Sequence, residues 1–344
     1  MRVQRSALVL ALGGLAGSGC GRQVSATASV PAAQTADALP PAKAAGTVER
    51  LDPALDALVA PGATIEKVAG GFKFTEGPLW RPDHTLWFSD VQGNVVRSIT
   101  PDGKVAVLIE HAGGGPAAAP DAFVGPNGMA EAPDGSVWLA QHGGRQIVRI
   151  GADRSLTPVV STFEGKRFNS PNDLVFARGG ALYFTDPPYG LAKQDEDPAK
   201  ELRFNGVYRF ANGRVQALVR DLNRPNGLAF SPDFRALYVN NSDAAKNLVM
   251  RYDVATDGTL SGGRVFADLT SKVDGLADGM KVDAKGNVYT TGPGGIWILS
   301  PAGAHLGTIK PSETPANCAW GEDGKTLYMT AVTGIYRIRT LVGR

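Results

Sequence analysis

Six polar residues recur at equivalent positions of a repeated unit, each about a dozen residues before an aromatic that opens a strand-like run. The polar residues are Glu76, Asn127, Asn172, Asn226, Asp278 and Asn317, and the aromatics are Trp87, Trp138, Tyr183, Tyr238, Tyr289 and Tyr328. A repeat of roughly 40–50 residues is typical of propellers and solenoids. In-phase polar residues in such a repeat converge on one axis. Two carboxylates and four amides meeting there would form an oxygen-lined site for a hard cation.

Calcium is the expected ion, because it accepts six to eight oxygen ligands in flexible geometry. Zinc favours Cys and His in a tetrahedron, and the four histidines of this chain are scattered. Magnesium keeps more of its waters and requires a stricter octahedron. Glu76 and Asp278 would neutralise a divalent ion, and without one they would perturb each other's pKa. Zinc, magnesium and manganese stay open as alternatives.

A competing interpretation is that these residues only cap turns, since Asn-Gly and Asp-Gly are common turn dipeptides. This interpretation would suffice for any one of them, but six residues in phase argue against it. We therefore expect a shared axial site.

The repeat predicts an all-β fold, a six-bladed β-propeller. Each unit contains a short apolar strand, a turn, a second strand led by the aromatic, and an outer strand with a Val/Ile/Tyr-Arg signature, as in residues 95–99, 207–210 and 335–338. Many short strands joined by Gly-, Asp- and Pro-containing turns are typical of propellers. The sixth unit stops after its third strand. We expect the spare N-terminal strand at 64–68 to complete the last blade and close the ring, which leaves no exposed sheet edge.

The N-terminus has the pattern of an export signal. Arg2 and Arg5 precede an apolar run at 7–15 that is too short to span a bilayer, and small residues lead to Cys20. We predict a signal peptide at 1–20, with Cys20 as a lipoprotein attachment site or, alternatively, a cleaved soluble product. The protein would then be exported, either periplasmic or anchored by lipid to the bacterial cell envelope.

An Ala/Pro-rich tether is predicted at 21–50, and the six-bladed propeller domain at 51–344. The formal net charge is only +2, and no long basic patch indicates nucleic acid. Membrane contact is expected only through a lipid anchor. We expect a monomer, because a closed ring needs no partner for stability.

Several motifs resemble the gluconolactonase/regucalcin (senescence marker protein) family of six-bladed propellers, over residues 64–341 and most closely its bacterial gluconolactonase branch. The most specific are EGPLW, NSPNDLVF running into YFTDPPYG, RPNGLAFSPD, ADGMKVDAKGNVY and PANCAWGEDGKTLYMTA. The resemblance implies one divalent ion, usually calcium, held by Glu76, Asn172, Asn226 and Asp278. It also implies that Asp278 is the general base or nucleophile.

The function implied is metal-dependent hydrolysis of a sugar lactone such as D-glucono-1,5-lactone to the aldonic acid. The ion would polarise the carbonyl while Asp278 activates water. Asn127, His142, Arg167 and Asn317 are weaker candidates for substrate contacts. Each has a structural alternative, and for His142 this is a role in a Gly-rich turn.

Two other function classes stay open. One is a hydrolase of the same fold that acts on another lactone, an ester or an organophosphate. The other is a non-catalytic, surface-tethered binding propeller, against which the intact set of polar axial residues argues. The long segments 111–125 and 187–206 would either cover the site or be solvated insertions. Cys318, in an apolar strand context, is expected to be a buried thiol.

Overall fold

Short apolar runs separated by tight turns form 27 β-strands in the part of the chain that the computed structural model describes, residues 44–115 and 122–344. The predicted signal peptide, its Cys20 and most of the predicted tether lie outside these residues, as does part of the 111–125 segment. Within the described ranges, no helix has the length and apolarity required to span a bilayer.

The N-terminal strands are β1 (Gly46–Arg50) and β2 (Ile65–Gly70), with a 3₁₀ turn at Pro53–Ala57 between them. Blade one is β3 (Thr75–Trp80), β4 (Leu86–Asp90), β5 (Val95–Ile99) and β6 (Val105–Glu110). Blade two is β7 (Pro126–Glu131), β8 (Val137–Gln141), β9 (Gln146–Ile150) and β10 (Leu156–Val160), followed by the small hairpin β11 (Thr162–Phe163) and β12 (Lys166–Arg167).

Blade three is β13 (Leu174–Phe176), β14 (Leu182–Asp186), β15 (Asn205–Ala211) and β16 (Arg214–Leu222), with a 3₁₀ turn at Gln194–Glu196. Blade four is β17 (Pro225–Phe230), β18 (Ala236–Asp243), β19 (Lys246–Val254) and β20 (Leu260–Asp268). Blade five is β21 (Met280–Val282), β22 (Val288–Gly292), β23 (Gly295–Leu299) and β24 (His305–Pro311), and blade six is β25 (Pro315–Gly321), β26 (Thr326–Ala331) and β27 (Gly334–Arg339).

Six antiparallel sheets confirm the predicted six-bladed propeller, and the predicted closing strand is confirmed too. The sixth sheet has the order β2-β27-β26-β25. Ile65 pairs with Ile338 and Gly70 with Gly334. The N-terminal strand is therefore the outer strand of the last blade, as the truncated sixth repeat predicts.

The predicted tether extends too far toward the propeller. Its last residues, Gly46–Arg50, form a fifth strand on blade five and pair with β24 from Gly46↔Pro311 to Arg50↔Gly307. An outer strand needs mainly backbone hydrogen bonds, so its side chains carry only a weak apolar pattern, here Val48 against the core. Composition alone therefore does not separate this strand from the tether that precedes it.

The phased aromatics pack between consecutive blades. Ring pairs join the second strand of one blade to the first strand of the next: Trp138–Phe176, Tyr183–Phe230, Tyr289–Trp320 and Tyr328–Trp80, at 5.0–5.5 Å between centroids. Such pairs contribute about 0.5–1.5 kcal/mol beyond the area they bury. The aromatic signal in the repeat is therefore the packing that holds neighbouring blades together.

Glycines after the repeated polar residues let the first strands of neighbouring blades approach closely at the axis. Gly227 N donates to Asp278 O at 2.8 Å, and Gly128 N donates to Asn172 O at 2.8 Å. A Cβ at Gly227 would lie 2.2 Å from Asp278 O, and one at Gly77 would lie 2.0 Å from Asn127 O. The Asn-Gly and Asp-Gly pairs are therefore close-approach sites, and the turn interpretation of these dipeptides is wrong.

Replacing Gly227 by Ala is expected to lower the melting temperature markedly, because the added methyl would force neighbouring backbones apart. Overpacking of this kind costs about 1–3 kcal/mol. Gly179→Ala is the matched control, since a Cβ added there would have no neighbouring atom within 4 Å, and that variant should melt at or slightly above the parent temperature. Equal melting of the two variants would show that the axial backbone yields easily.

Candidate metal centre and active site

All six repeated polar residues meet at one end of the propeller axis. Asn172 and Asp278 lie two residues before the first strand of their blades. The other four lie near the start of that strand, and their strands carry a β-bulge beside the polar residue: β3, β7, β17 and β25. A bulge re-aims the side chain at that position. The repeated register shift therefore turns the polar side chains toward the axis.

Contacts link the six residues into a ring. Asn317 Nδ2 donates to Glu76 Oε2 at 3.0 Å, and Asn172 Nδ2 donates to Asn226 Oδ1 at 2.5 Å. Asn127 and Asp278 join through the glycine contacts already described. Glu76, Asn127, Asn172, Asn226 and Asn317 are all buried, at 2–6 % exposure. The predicted convergence of these residues is therefore present in the structure.

Glu76 and Asp278 differ in how a small molecule could reach them. Glu76 is 3 % exposed, and its Oε2 accepts hydrogen bonds from Gly77 N at 2.6 Å and from Asn317. Asp278 is only partly buried, and its backbone N–H is fixed by Thr291 Oγ1 at 2.6 Å. Glu76 is thus a pre-positioned carboxylate, while Asp278 is the less buried residue of the two.

His142 packs against the asparagine side of the ring and is 1 % exposed. Its Nδ1 lies 3.1 Å from Phe123 O, which assigns the proton to Nδ1 and leaves Nε2 to accept from Asn127 Nδ2 at 3.2 Å. Nε2 also lies 3.4 Å from Asn172 Oδ1. Burial lowers the His142 pKa to about 4, so the ring is neutral at physiological pH and orients Asn127.

A third carboxylate and an ammonium lie beside the ring, and neither belongs to the phased set of polar residues. Asp173 is 5 % exposed and occupies the position after the repeated polar residue, where four other blades have Gly and one has Cys318. Its Oδ1 accepts from Leu174 N at 2.9 Å, whereas its Oδ2 has no partner. Lys281 is partly buried, and its charge acts on both Asp173 and Glu76. Comparing the residue after each repeated position would have revealed Asp173.

The charges of this site are unbalanced. Burial raises the pKa of Glu76, Asp173 and Asp278, and the charges of Glu76 and Asp173 raise the Asp278 pKa further. Lys281 offsets part of the effect on Glu76 and Asp173. When all three carboxylates are ionised, the one ammonium leaves two negative charges uncompensated. One divalent cation would balance them.

The donor set suits a hard divalent ion. Within the described ranges, no three Asp, Glu, His or Cys side chains converge closely enough to hold a metal by themselves. The groups that converge are the carboxylates of Glu76 and Asp278 and the asparagine amides. The Asp173 oxygen that lacks a hydrogen-bond partner lies beside them. Carboxylate and amide oxygens are calcium-type ligands. The residues present therefore fit such an ion.

Other candidates lie away from the ring. Arg167 is exposed in β12, where its guanidinium donates to Gly144 O at 3.2 Å, and its predicted substrate contact stays a prediction. Asp186 is structural, since it accepts the backbone N–H groups of Asn169 and Ser170 at 2.8 Å each. Cys318 is buried, and burial raises its pKa to about 12, as expected of an inert thiol.

Residues 74–333 match the family model described as the SMP-30/Gluconolactonase/LRE-like region. The chain is a member of this family. It is 39 % identical over 307 residues to a gluconolactonase of Zymomonas mobilis, a match that covers 86 % of each chain. Among solved structures, a gluconolactonase from Xanthomonas campestris superposes with a TM-score of 0.77 at 31 % identity, over 88 % of this chain and 98 % of that one.

More distant members share the family's architecture. Regucalcin of Xenopus laevis is 27 % identical over 281 residues, which cover 77 % of this chain and 85 % of that protein. Family membership and the convergent ring agree, because the four residues that the resemblance singles out, Glu76, Asn172, Asn226 and Asp278, are all ring members.

The stability of the cation-free protein is expected to fall as pH rises from about 6.5 through about 7, to which the pKa of Glu76 is raised. The raised pKa of the axial carboxylates means that the native state holds protons that the unfolded state has lost, so unfolding becomes easier with rising pH. His142 acts with the opposite sign, but its contribution is complete above its ordinary pKa of 6.5. The increase in melting temperature caused by saturating calcium should therefore grow across this range.

The control for this measurement is Asp278→Asn, which removes one proposed calcium ligand and one raised carboxyl group, so both the calcium increment and its pH dependence should become smaller. Asp186, whose pKa burial raises to about 7, lies off the ring and cancels in the difference between melts with and without calcium. A calcium increment that does not change with pH would contradict the assignment of the axial carboxylates.

The charge balance is testable without activity. Asp173→Asn removes a negative charge beside the ring and should weaken calcium binding, whereas Lys281→Met removes the opposing charge and should strengthen it. Each change is expected to be about tenfold, because a buried neighbouring charge contributes on the order of 1 kcal/mol or more. Calorimetric titration of calcium measures both. Shifts of the same sign in the two variants would rule out this electrostatic account.

Proposed function

We propose that this protein is a metal-dependent hydrolase of sugar lactones, with D-glucono-1,5-lactone as the expected type of substrate. The observation that carries the proposal is the axial ring, in which a reachable carboxylate stands beside a pre-positioned carboxylate and convergent amides. Support comes from the 39 % identity to the Zymomonas gluconolactonase across most of both chains. A partial relative, the 6-deoxy-6-sulfogluconolactonase of Pseudomonas putida, is 33 % identical over 125 residues.

Calcium is the proposed ion, because the ligand atoms available at the site are oxygens. Glu76, Asn172, Asn226 and Asp278 would hold it through carboxylate and amide oxygens. When bound, it would supply Lewis acidity to the substrate carbonyl oxygen.

Asp278 is the proposed general base, because it is the more accessible member of the carboxylate pair. It takes a proton from water while the water oxygen bonds to the lactone carbonyl carbon. The ring C–O bond then breaks, and the proton returns from Asp278 to the departing ring oxygen. The product is a hydroxy acid, and the net reaction adds one water.

The asparagines and His142 prepare the site before substrate arrives. Asn172 and Asn226 are fixed by their mutual hydrogen bond, and Asn226 Nδ2 also donates to Ser242 Oγ at 3.1 Å. Neutral His142 orients Asn127. Such preorganisation spares the reaction the cost of aligning groups. Asn127 and Asn317 remain the proposed contacts for substrate hydroxyls.

The first experiment is pH-stat hydrolysis of D-glucono-1,5-lactone by the full chain, as purified, after chelation and after calcium is restored. Activity should disappear with chelator and return with calcium. A parallel panel of hydroxyl-free lactones, aryl esters and phosphotriesters tests the alternative hydrolase functions. An absence of turnover of every substrate by calcium-loaded protein would leave the binding-propeller interpretation standing.

Asp278→Asn should reduce kcat/KM for the lactone by about 10²–10⁴-fold, the usual contribution of a general base. Asp134→Asn is the control, because Asp134 is an exposed turn residue that accepts from Ser136, and Asn retains that contact. Near-parent activity in Asp278→Asn, with folding and calcium binding verified, would remove Asp278 from the mechanism.

A further inference from the structure

The segment 187–204, between β14 and β15, passes beside the axial site and is here called the strap. It is not part of any blade sheet, and its 3₁₀ turn Gln194–Glu196 interrupts an otherwise irregular course. Its sequence carries none of the repeat signals. Its relation to the site can therefore be judged only from the contacts it makes.

Two sets of contacts hold the strap in place. At its start, Ser170 Oγ donates to Pro187 O at 2.6 Å and accepts from Gly190 N at 2.8 Å. Farther along, Asp195 forms an ion pair with Arg224 and accepts from Asn205 Nδ2 at 3.0 Å. Ser170 lies two residues before Asn172, and Arg224 lies two residues before Asn226. The strap is therefore anchored beside two ring residues.

Tyr189 is carried by the anchored start of the strap into the site. Gly190 packs so tightly that a Cβ there would lie 2.8 Å from the Cβ atoms of both His142 and Ser170. The Tyr189 side chain lies near Asn226 and Ser242, and the Asp278 charge acts on its hydroxyl. Tyr189 itself is only partly buried. It thus forms a wall of the site beside the proposed base.

We propose that Tyr189 is a specificity residue that hydrogen-bonds a hydroxyl group of the substrate and so selects polyhydroxylated lactones over hydroxyl-free ones. This inference rests on the proposed lactone hydrolysis and deepens it. A phenol has one proton and two acceptor positions. The Ser242 hydroxyl donates to Ala277 O, and Asn226 Nδ2 donates to Ser242 Oγ at 3.1 Å, so these neighbours leave the phenol with hydrogen-bonding capacity for a ligand.

The chemistry of this wall suits an uncharged hydroxyl rather than an anionic substituent. A tyrosine phenol keeps its proton at neutral pH, so Tyr189 remains a donor. Arg224, the cation beside Tyr189, is engaged by the Asp195 carboxylate and by Gln194 Oε1 at 3.3 Å. The positive charge of Arg224 is thus already balanced by a protein carboxylate and is not available to bind an anionic substituent.

The test compares Tyr189→Phe with the parent on two substrates, D-glucono-1,5-lactone and δ-valerolactone, which has no hydroxyl groups. The kcat/KM for gluconolactone should fall about tenfold, the effect of one lost hydrogen bond, while the value for δ-valerolactone stays within about twofold. Calcium affinity measured by calorimetry should not change. Tyr183→Phe is the matched control, because the Tyr183 hydroxyl donates to Gly258 O at 2.6 Å within the propeller body, and its substrate ratio should equal that of the parent.

Equal kcat/KM of Tyr189→Phe and parent for gluconolactone, or equal losses for both lactones, would overturn the specificity role. Failure of the parent to hydrolyse any lactone would instead refute the proposed function. In that event, calorimetric binding of D-gluconate to the calcium-loaded proteins decides the hydroxyl contact independently. Weaker binding by Tyr189→Phe supports it, and unchanged binding or no binding to the parent refutes it.

Discussion

The close approach of six backbone strands around one axis is the constraint on which this site depends. The strands approach so closely only because glycine follows four of the six polar residues, and the amide of one glycine reaches the carbonyl of the neighbouring blade. A side chain at these positions would widen the ring. The asparagine and carboxylate groups would then be too far apart to bind one ion. The site would be lost although every ligand residue was still present.

Burial gives this polar cluster its electrostatic character. Each blade adds apolar surface around the axis, and that surface raises the cost of ionising Glu76, Asp173 and Asp278. Ionised carboxylates at such short range repel one another, whereas a bound cation attracts all of them. The same apolar packing that stabilises the propeller thus makes a positive charge favourable at the site. Lys281 supplies only part of that positive charge.

Most of the fold and the core of the site were predictable from the sequence, because both follow the repeat. The in-phase residues indicated the blade number, the axial cluster and the closing strand β2. The strand β1 was missed because an outer strand carries little side-chain pattern, and Lys281 because it follows no repeated signal. Tyr189 stands in the YFTDPPYG motif, but its place beside the site could not be predicted, since the position of the strap is set by tertiary contacts at Ser170 and Arg224.

The closing blade also determines the order in which the ring can be assembled. Its side-chain contact between Glu66 and Arg337 joins residues 271 positions apart, a far longer range than the hairpins within each blade. Long-range pairings of this kind form late and slow folding. We therefore expect blade six to act as a clasp that closes after the other blades have stacked. The same clasp is the natural place for the ring to open first under mechanical or thermal stress.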